Sequence, residues 1–288
     1  MLNKNIKSPV NIPVSKIHPF EGNPYKVLDN EEMNFLIESI QQQGIISPVV
    51  VRPLENTKDE YEVISGHRRL RASQKAGLET VPALIYAVSR DEAAIMLVDS
   101  NLHRGHILPS EKAFAYKLKL EAIKRQGERT DLTSRQVVGK LESADLVSDT
   151  ESGRQVQRYI RLTYLIPELL DLVDEKRIAF TPAVELSYLN EVEQADLVEE
   201  ISVCDATPNL SQTQRLRAIS REKGLTPEDI GEILAEEKAN QRPTVKFSVE
   251  RLQKVAPKVK ESDLENFVMK ACEHYYRYLQ RQRNRDAR

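Results

Sequence analysis

The sequence predicts an α+β protein in three parts: a small α/β domain over 1–108, an all-α domain containing a helix-turn-helix over 109–224, and a small C-terminal module over 225–288. Three observations predict this. Apolar runs at 45–51, 61–64 and 81–86 alternate with helical periodicity, strand patterns nearly vanish after Pro109, and Asn240-Gln241-Arg242-Pro243 reads as a linker. With 288 residues, 40% hydrophobic and 30% charged, the chain suits two or three globular domains. No apolar run approaches the roughly 20 residues of a membrane span, and Met1 to Pro13 lacks a leader pattern, so the expectation is a cytoplasmic protein without membrane contact. Cys204 and Cys272 stand far apart with no CxxC pair, which argues against a disulfide framework or a zinc site. A net charge of −2 confines any nucleic-acid contact to local patches.

Residues 10–17 read as a strand that His18-Pro19 and Gly22-Asn23-Pro24 break into a loop. A helix follows: Asp29 with Glu32 fits a capping box, Met33, Leu36, Ile37 and Ile40 share one face, and Gly44 takes the C-terminal cap. The strand at 45–51 is broken by Pro48. The strand at 61–64 runs into Ser65-Gly66-His67-Arg68-Arg69-Leu70-Arg71-Ala72, a glycine turn leading straight into an arginine-rich helix start. Arginines there oppose the helix dipole unless an anion is present. Gly66 permits close approach of the backbone, the free N–H groups of the first turn point outward, and Arg68, Arg69 and Arg71 supply fork-shaped charge for a triphosphate or a nucleic-acid backbone. The plainer alternative is a solvated basic helix end. After the strand at 81–86, a helix over 91–102 turns Ala94, Leu97 and Val98 inward and ends in the polar run Asp99-Ser100-Asn101-Leu102-His103-Arg104. The spacing of His67, His103 and His106 fits no zinc signature.

Beyond Ser110 a long helix over 111–126 carries Ala113, Tyr116, Leu120 and Ile123 on one side. Thr133-Ser134 caps the next helix, with Val137, Val138 and Leu141, and a turn at Glu151-Ser152-Gly153 leads to a helix over 154–162. Two helices around a glycine turn suggest a helix-turn-helix. In the second, Val156 and Ile160 face the core, leaving Arg154, Gln155, Gln157, Arg158 and Arg161 outward with no carboxylate among them. Such a face suits a major groove, with arginine on guanine edges, glutamine on adenine and the remaining arginines on phosphates. A solvated helix face is the alternative. Residues 225–238 read as an amphipathic helix capped near Thr226-Pro227. From Ser262 another helix aligns Leu264, Phe267, Val268, Ala271, Tyr275 and Tyr278, a stripe that fits dimerisation and intramolecular packing equally. Arg277, Arg281, Arg283, Arg285 and Arg288 make a basic tail suited to non-specific DNA contact or to disorder.

Ser65 to Ala72, then Asn101-Leu102-His103-Arg104, then Leu108-Pro109-Ser110-Glu111-Lys112-Ala113, resemble in order and spacing the boxes of ParB-type chromosome and plasmid partition proteins, over about residues 13–221. The resemblance implies a ParB/sulfiredoxin-like α/β domain that binds CTP and magnesium. Gly44 to Pro48 with Val49, Val50, Val51 and Arg52 corresponds to the stretch facing the cytosine; Gly66, Arg68, Arg69 and Arg71 to the triphosphate ligands; Asn101 to the residue positioning the metal; Arg104 to a further phosphate contact. It also implies double-stranded DNA with a specific site as partner, a homodimer formed through the C-terminus, association with the nucleoid, and a ParA-type ATPase as a further partner. For the last, Met1 to Ser8 offers only Lys4 and Lys7.

Two departures stand out. His67 replaces the family's usual glutamate in the first box, and a histidine beside a triphosphate has its charged form favoured. Ser100 replaces the glutamate that opens the second box, where a carboxylate would orient water. Asp99 points about 100° away on a helix. The expectation is therefore nucleotide binding rather than fast hydrolysis, with weak CTP hydrolysis left open. Two other readings stay open: a DNA-binding regulator with a vestigial pocket, and a nuclease or phosphotransfer enzyme on the same α/β unit. The sulfiredoxin-like form of the second needs a cysteine beside the phosphate box, and none precedes Cys204.

Overall fold

The computed structural model describes residues 8–55, 57–102, 104–131, 144–236 and 263–286, with Leu252 and Val259. Two compact units divide the chain, Met1–Glu236 and Glu237–Arg288.

The first unit begins with a five-stranded mixed sheet: β1 (Val10–Pro13), β2 (Ile17–His18), β3 (Val49–Pro53), β4 (Tyr61–Ser65) and β5 (Thr80–Ile85), in the order β1-β5-β3-β4-β2. The strand expected over 10–17 is thus two strands at opposite edges. Pro13 has no N–H to continue the ladder, and a single 3₁₀ turn, Val14–Lys16, carries the chain onward. Alternation places Val63 and Ile64 on opposite faces. Val63 joins Ile12, Val49, Val51 and Val81 under Leu70 of α2 (His67–Lys75), and Ile64 joins Ala94, Leu97 and Val98 of α3 (Arg90–Leu102). The helix α1 (Glu31–Gln43) packs Met33 and Ile40 against Ala72 of α2. Its cap is Asn30, whose side chain accepts from Met33 N, and not Asp29, one residue earlier. Asp29 serves α2 instead.

The long helix α4 (Pro109–Asp131) belongs to both halves of this unit. Ala115 and Ala122 complete the core beneath the sheet, Ala113 enters the helical core, and Tyr116 and Leu120 pack with Val147 and Val156. Helices α5 (Gly153–Arg161), α6 (Pro167–Asp174), α7 (Phe180–Leu186), α8 (Glu191–Cys204), α9 (Leu210–Lys223) and α10 (Pro227–Ala235) bury Leu162, Leu169, Leu186, Leu197, Leu216 and Ile230 together. The buried Gln194 ties this packing, accepting from Ile166 N and donating to the carbonyls of Tyr164 and Leu189. The helix α10, expected to open the C-terminal module, instead buries Ile230, Ile233 and Leu234 in the core formed by α8 and its neighbours. The first helix of the expected helix-turn-helix, with Val137, Val138 and Leu141, lies outside the described residues, as do the linker at 240–243 and Arg288.

In the second unit α11 (Leu264–Asp286) exposes Phe267, Met269, Tyr275, Tyr276 and Tyr278, the rings of Tyr275 and Tyr278 stacking at 6.3 Å. No helix among the described residues is long and apolar enough to cross a membrane.

Candidate functional site

The turn between β4 and α2 depends on Gly66, whose φ is 101° and which caps the helix N-terminus. A Cβ there would meet Val49 Cγ1 at 3.0 Å and Arg69 Nη2 at 3.2 Å, so both the conformation and the space require glycine. The first two residues of α2, His67 and Arg68, line a small cavity with Asn23, Tyr25, Lys26, Asn101 and Arg104. The second box thereby meets the first. Arg104 is positioned by its own N–H on the Asn101 carbonyl at 3.0 Å and lies 5.9 Å over the Tyr25 ring. Asn101 is buried and donates Nδ2 to the Leu97 carbonyl at 2.7 Å.

His67 Nε2 is buried without a hydrogen-bond partner. Burial, with the Arg104 guanidinium second, pushes this imidazole down to about 4, so without an anion the ring is neutral. The charged ring expected beside a triphosphate would need that anion to outweigh burial and, second, the Arg104 cation. Burial lowers Arg69 too, again with Arg104 second.

The other predicted residues divide into those that build the box and those that face elsewhere. Arg69 donates to the carbonyls of Ser47 and, at 2.9 Å, Pro48, and so ties the loop after Gly44 to α2. Gly44 caps α1 with φ 70°. Arg68 pairs with Glu32 at 3.0 Å across an exposed surface. Arg71 turns away to Asp29 at 3.0 Å, and Lys75 reaches the same carboxylate at 2.7 Å. Hydrogen bonds from Arg71 and then Lys75 hold Asp29 down to about 2. Arg52 is buried on β3, its Nε 2.7 Å from Glu62 and its Nη1 3.7 Å from Glu55, committed to a separate charge network. Ser100 Oγ donates to the Leu97 carbonyl, and Asp99 faces α4, where it takes Lys119 at 2.6 Å. His103 lies outside the described residues; His106 is exposed. Among the described residues no group of three His, Cys, Asp or Glu side chains could hold a metal.

Sequence reasoning missed Tyr25 and Lys26. Asn23-Pro24 read only as a turn, yet the loop after it walls the cavity, and Lys26 reaches Asp171 and Asp174 at 3.6 and 3.7 Å. The available signal was an aromatic and a cation directly after a turn.

Ser152 caps the candidate reading helix α5 by accepting from Gln155 N. Gly153 is required at its start: its N–H donates to Asp145 Oδ1 at 2.6 Å, and a Cβ would fall 2.3 Å from that oxygen. Val156 is buried, while Arg154 and Gln157 are exposed. The other three of the expected outward set are half-buried. Arg158 donates to Gln155 Oε1 and Thr181 Oγ1 and stacks 5.0 Å from Phe180. Arg161 donates to the Ser187 hydroxyl and carbonyl between the rings of Tyr164 and Tyr188. These two arginines fasten α5 to α7 and the turn after it. The outward basic face is narrower than the wheel of α5 alone suggests.

The family model for the ParB N-terminal domain matches residues 2–102. A chromosome-partitioning protein ParB from Myxococcus xanthus is 30% identical over 243 residues, 84% of this chain and 74% of that one. A nucleoid occlusion protein from Listeria innocua is 31% identical over 202 residues, 70% of this chain and 65% of its own length. A crystal structure of C-terminally truncated ParB from Caulobacter crescentus complexed with CTP-gamma-S is 23% identical, covering 68% of this chain and 99% of that one with a TM-score of 0.33, too low to place any residue by superposition.

Proposed function

The chain belongs to the ParB family, and from that premise we propose that it is a sequence-specific DNA-binding partition protein whose N-terminal box takes CTP with magnesium as the switch of a DNA clamp. One observation carries the nucleotide reading: His67, Arg68, Asn101 and Arg104 converge on a single cavity at the N-terminus of α2, where a buried imidazole nitrogen lacks a partner. A phosphate oxygen would supply that partner, and the N–H groups of the first turn after Gly66 add donors along the helix dipole. The Arg68–Glu32 pair is no obstacle, since exposed ion pairs contribute about 0–1 kcal/mol. The cavity is lined by no carboxylate, so magnesium would be held chiefly by phosphate oxygens, with Asn101 Oδ1 as a side-chain oxygen at its wall. Ser100 and Asp99 are both engaged elsewhere, which favours binding over turnover.

In this reading Arg154 and Gln157 of α5 meet base edges in double-stranded DNA, and the aromatic stripe of α11 pairs two copies of the chain. Nucleotide biases the clamp only by binding its closed state better, so DNA and nucleotide alter each other's affinity by one common factor. A second reading has support of its own: with Arg71 on Asp29 and Arg69 on backbone carbonyls, two of the four arginines expected at the phosphates are committed elsewhere, which suits a DNA-binding regulator that makes no use of nucleotide.

Calorimetric titration of the four ribonucleoside triphosphates with magnesium separates the two. The switch predicts a preference for CTP that Arg104→Ala abolishes. Absence of binding by every nucleotide, with and without a duplex selected by the protein, would leave the regulator.

A further inference from the structure

Three cations of α4 are matched by carboxylates within the chain. Lys112 pairs with Glu151, Lys119 with Asp99, and Arg125 with Asp91 and Glu121. Arg158 and Arg161 are held by α7 and the turn after it. Among the described residues, Lys117, Lys124 and Arg154 pair with no carboxylate, and Lys117 rests 5.8 Å over the Tyr164 ring. Lys117 and Lys124 are seven residues apart and so share one face of α4, about 10 Å along its axis.

That face forms one wall of a groove of 290 Å³ whose other wall is α5 and the turn after it, with Gln157 and Tyr164 lining it opposite the two lysines. Glu121 lies between the lysines but is answered by Arg125 at 3.8 Å, so the groove keeps a positive balance. Tyr164 is 57% exposed, so the groove is open to solvent at this side chain. The groove therefore adjoins the exposed side chains of the reading helix and offers two lysines and a phenol, compact point charges and a donor without the fork geometry that reads bases.

We propose that the Lys117–Lys124 row of α4, with Tyr164, seats the phosphate backbone of the duplex beside α5 and supplies sequence-independent affinity. The proposal rests on the DNA-binding reading above and adds an element to it. A span of about 10 Å corresponds to about three phosphate steps of one strand at an axial spacing of 3.4 Å. It also explains how α5 can commit Arg158 and Arg161 to packing: the charge that holds the backbone comes from the neighbouring helix.

The test is the salt dependence of binding by the full chain to a duplex selected from a random pool and to a scrambled duplex, between 50 and 200 mM salt. Each phosphate contact adds about 0.9 to the slope of log affinity against log salt. Lys117→Gln with Lys124→Gln should lower the slope by about 1.8, so that its affinity loss over that range is about 12-fold smaller than wild type's. Both duplexes should weaken by the same factor, while Arg154→Ala should change the ratio between them. Lys117→Arg with Lys124→Arg keeps both charges and should keep the wild-type slope, which separates lost contact from lost fold. An unchanged slope in the glutamine pair, with selected DNA still bound, overturns the proposal and leaves the reading helix standing. A wild type that binds neither duplex overturns the DNA reading itself.

Discussion

At the scale of the residue, Gly66 and His67 constrain the turn that opens α2. Gly66→Ala would force a φ of 101° on a residue with a Cβ and press that Cβ against Val49. It should cost about 2 kcal/mol in denaturant unfolding and remove nucleotide binding together. His67 makes a pH prediction. Its imidazole titrates near 6.5 when unfolded and about 4 in the fold, so the unfolded chain takes up the proton first as pH falls. The stability linked to this group is full above pH 6.5 and is lost as pH falls through the window down to about 4. His67→Gln should flatten unfolding free energy against pH across that window; a slope identical to wild type would show that the ring is not buried neutral. After burial, the Arg104 charge is what lowers both His67 and Arg69, and Arg104 lines the cavity, so it, rather than Arg71, is the variant to make first.

Elements were legible where periodicity alone decides them. The apolar runs at 61–64 and 81–86 became β4 and β5, the run at 45–51 gave β3 only from Val49 onward, past Pro48, and the glycine before His67 became the cap of α2. What escaped was set by contacts distant in sequence. Arg71 finds Asp29 42 residues away and Arg68 finds Glu32 36 away, so a string of arginines that looked uniform serves three different partners. Arg158 and Arg161 lie on the polar side of the α5 wheel, yet Thr181 and Ser187 lie against that side, and a wheel drawn for one helix cannot include a second. The sequence marks Gly153 as a turn residue, whereas the structure sets its backbone close against Asp145. Gly153→Ala should therefore weaken DNA binding by displacing the start of α5, and Asp145→Ala should recover part of the loss in the double variant. Additive losses in that cycle would contradict the contact.

At the scale of the molecule, α4 is the element that the two halves of the first unit share, its Ala115 and Ala122 beneath the sheet and its Ala113 among the helices. Asp99 on Lys119 and Ser110 on Asp174 tie the box and the helical half to the same helix. A net charge of −2 hides the separation of a basic groove beside α5 from acidic side chains on α8 and α10. The end of the unit is equally physical. Ile230, Ile233 and Leu234 are each at most 3% exposed, and fully burying such side chains contributes about 1.5–3 kcal/mol apiece. Residues 1–236 should unfold in a single cooperative transition, and residues 1–224, lacking α10, should lose most of that stability.

Reciprocal linkage is the most direct test of a nucleotide-switched DNA protein. The measurement is the affinity for CTP with magnesium in the absence and presence of saturating selected duplex, on wild type and Arg104→Ala. The switch predicts that duplex changes CTP affinity by about fivefold or more, that CTP changes duplex affinity by the same factor, and that Arg104→Ala abolishes both. CTP that binds equally with and without duplex, or duplex binding with no nucleotide bound at all, would contradict it.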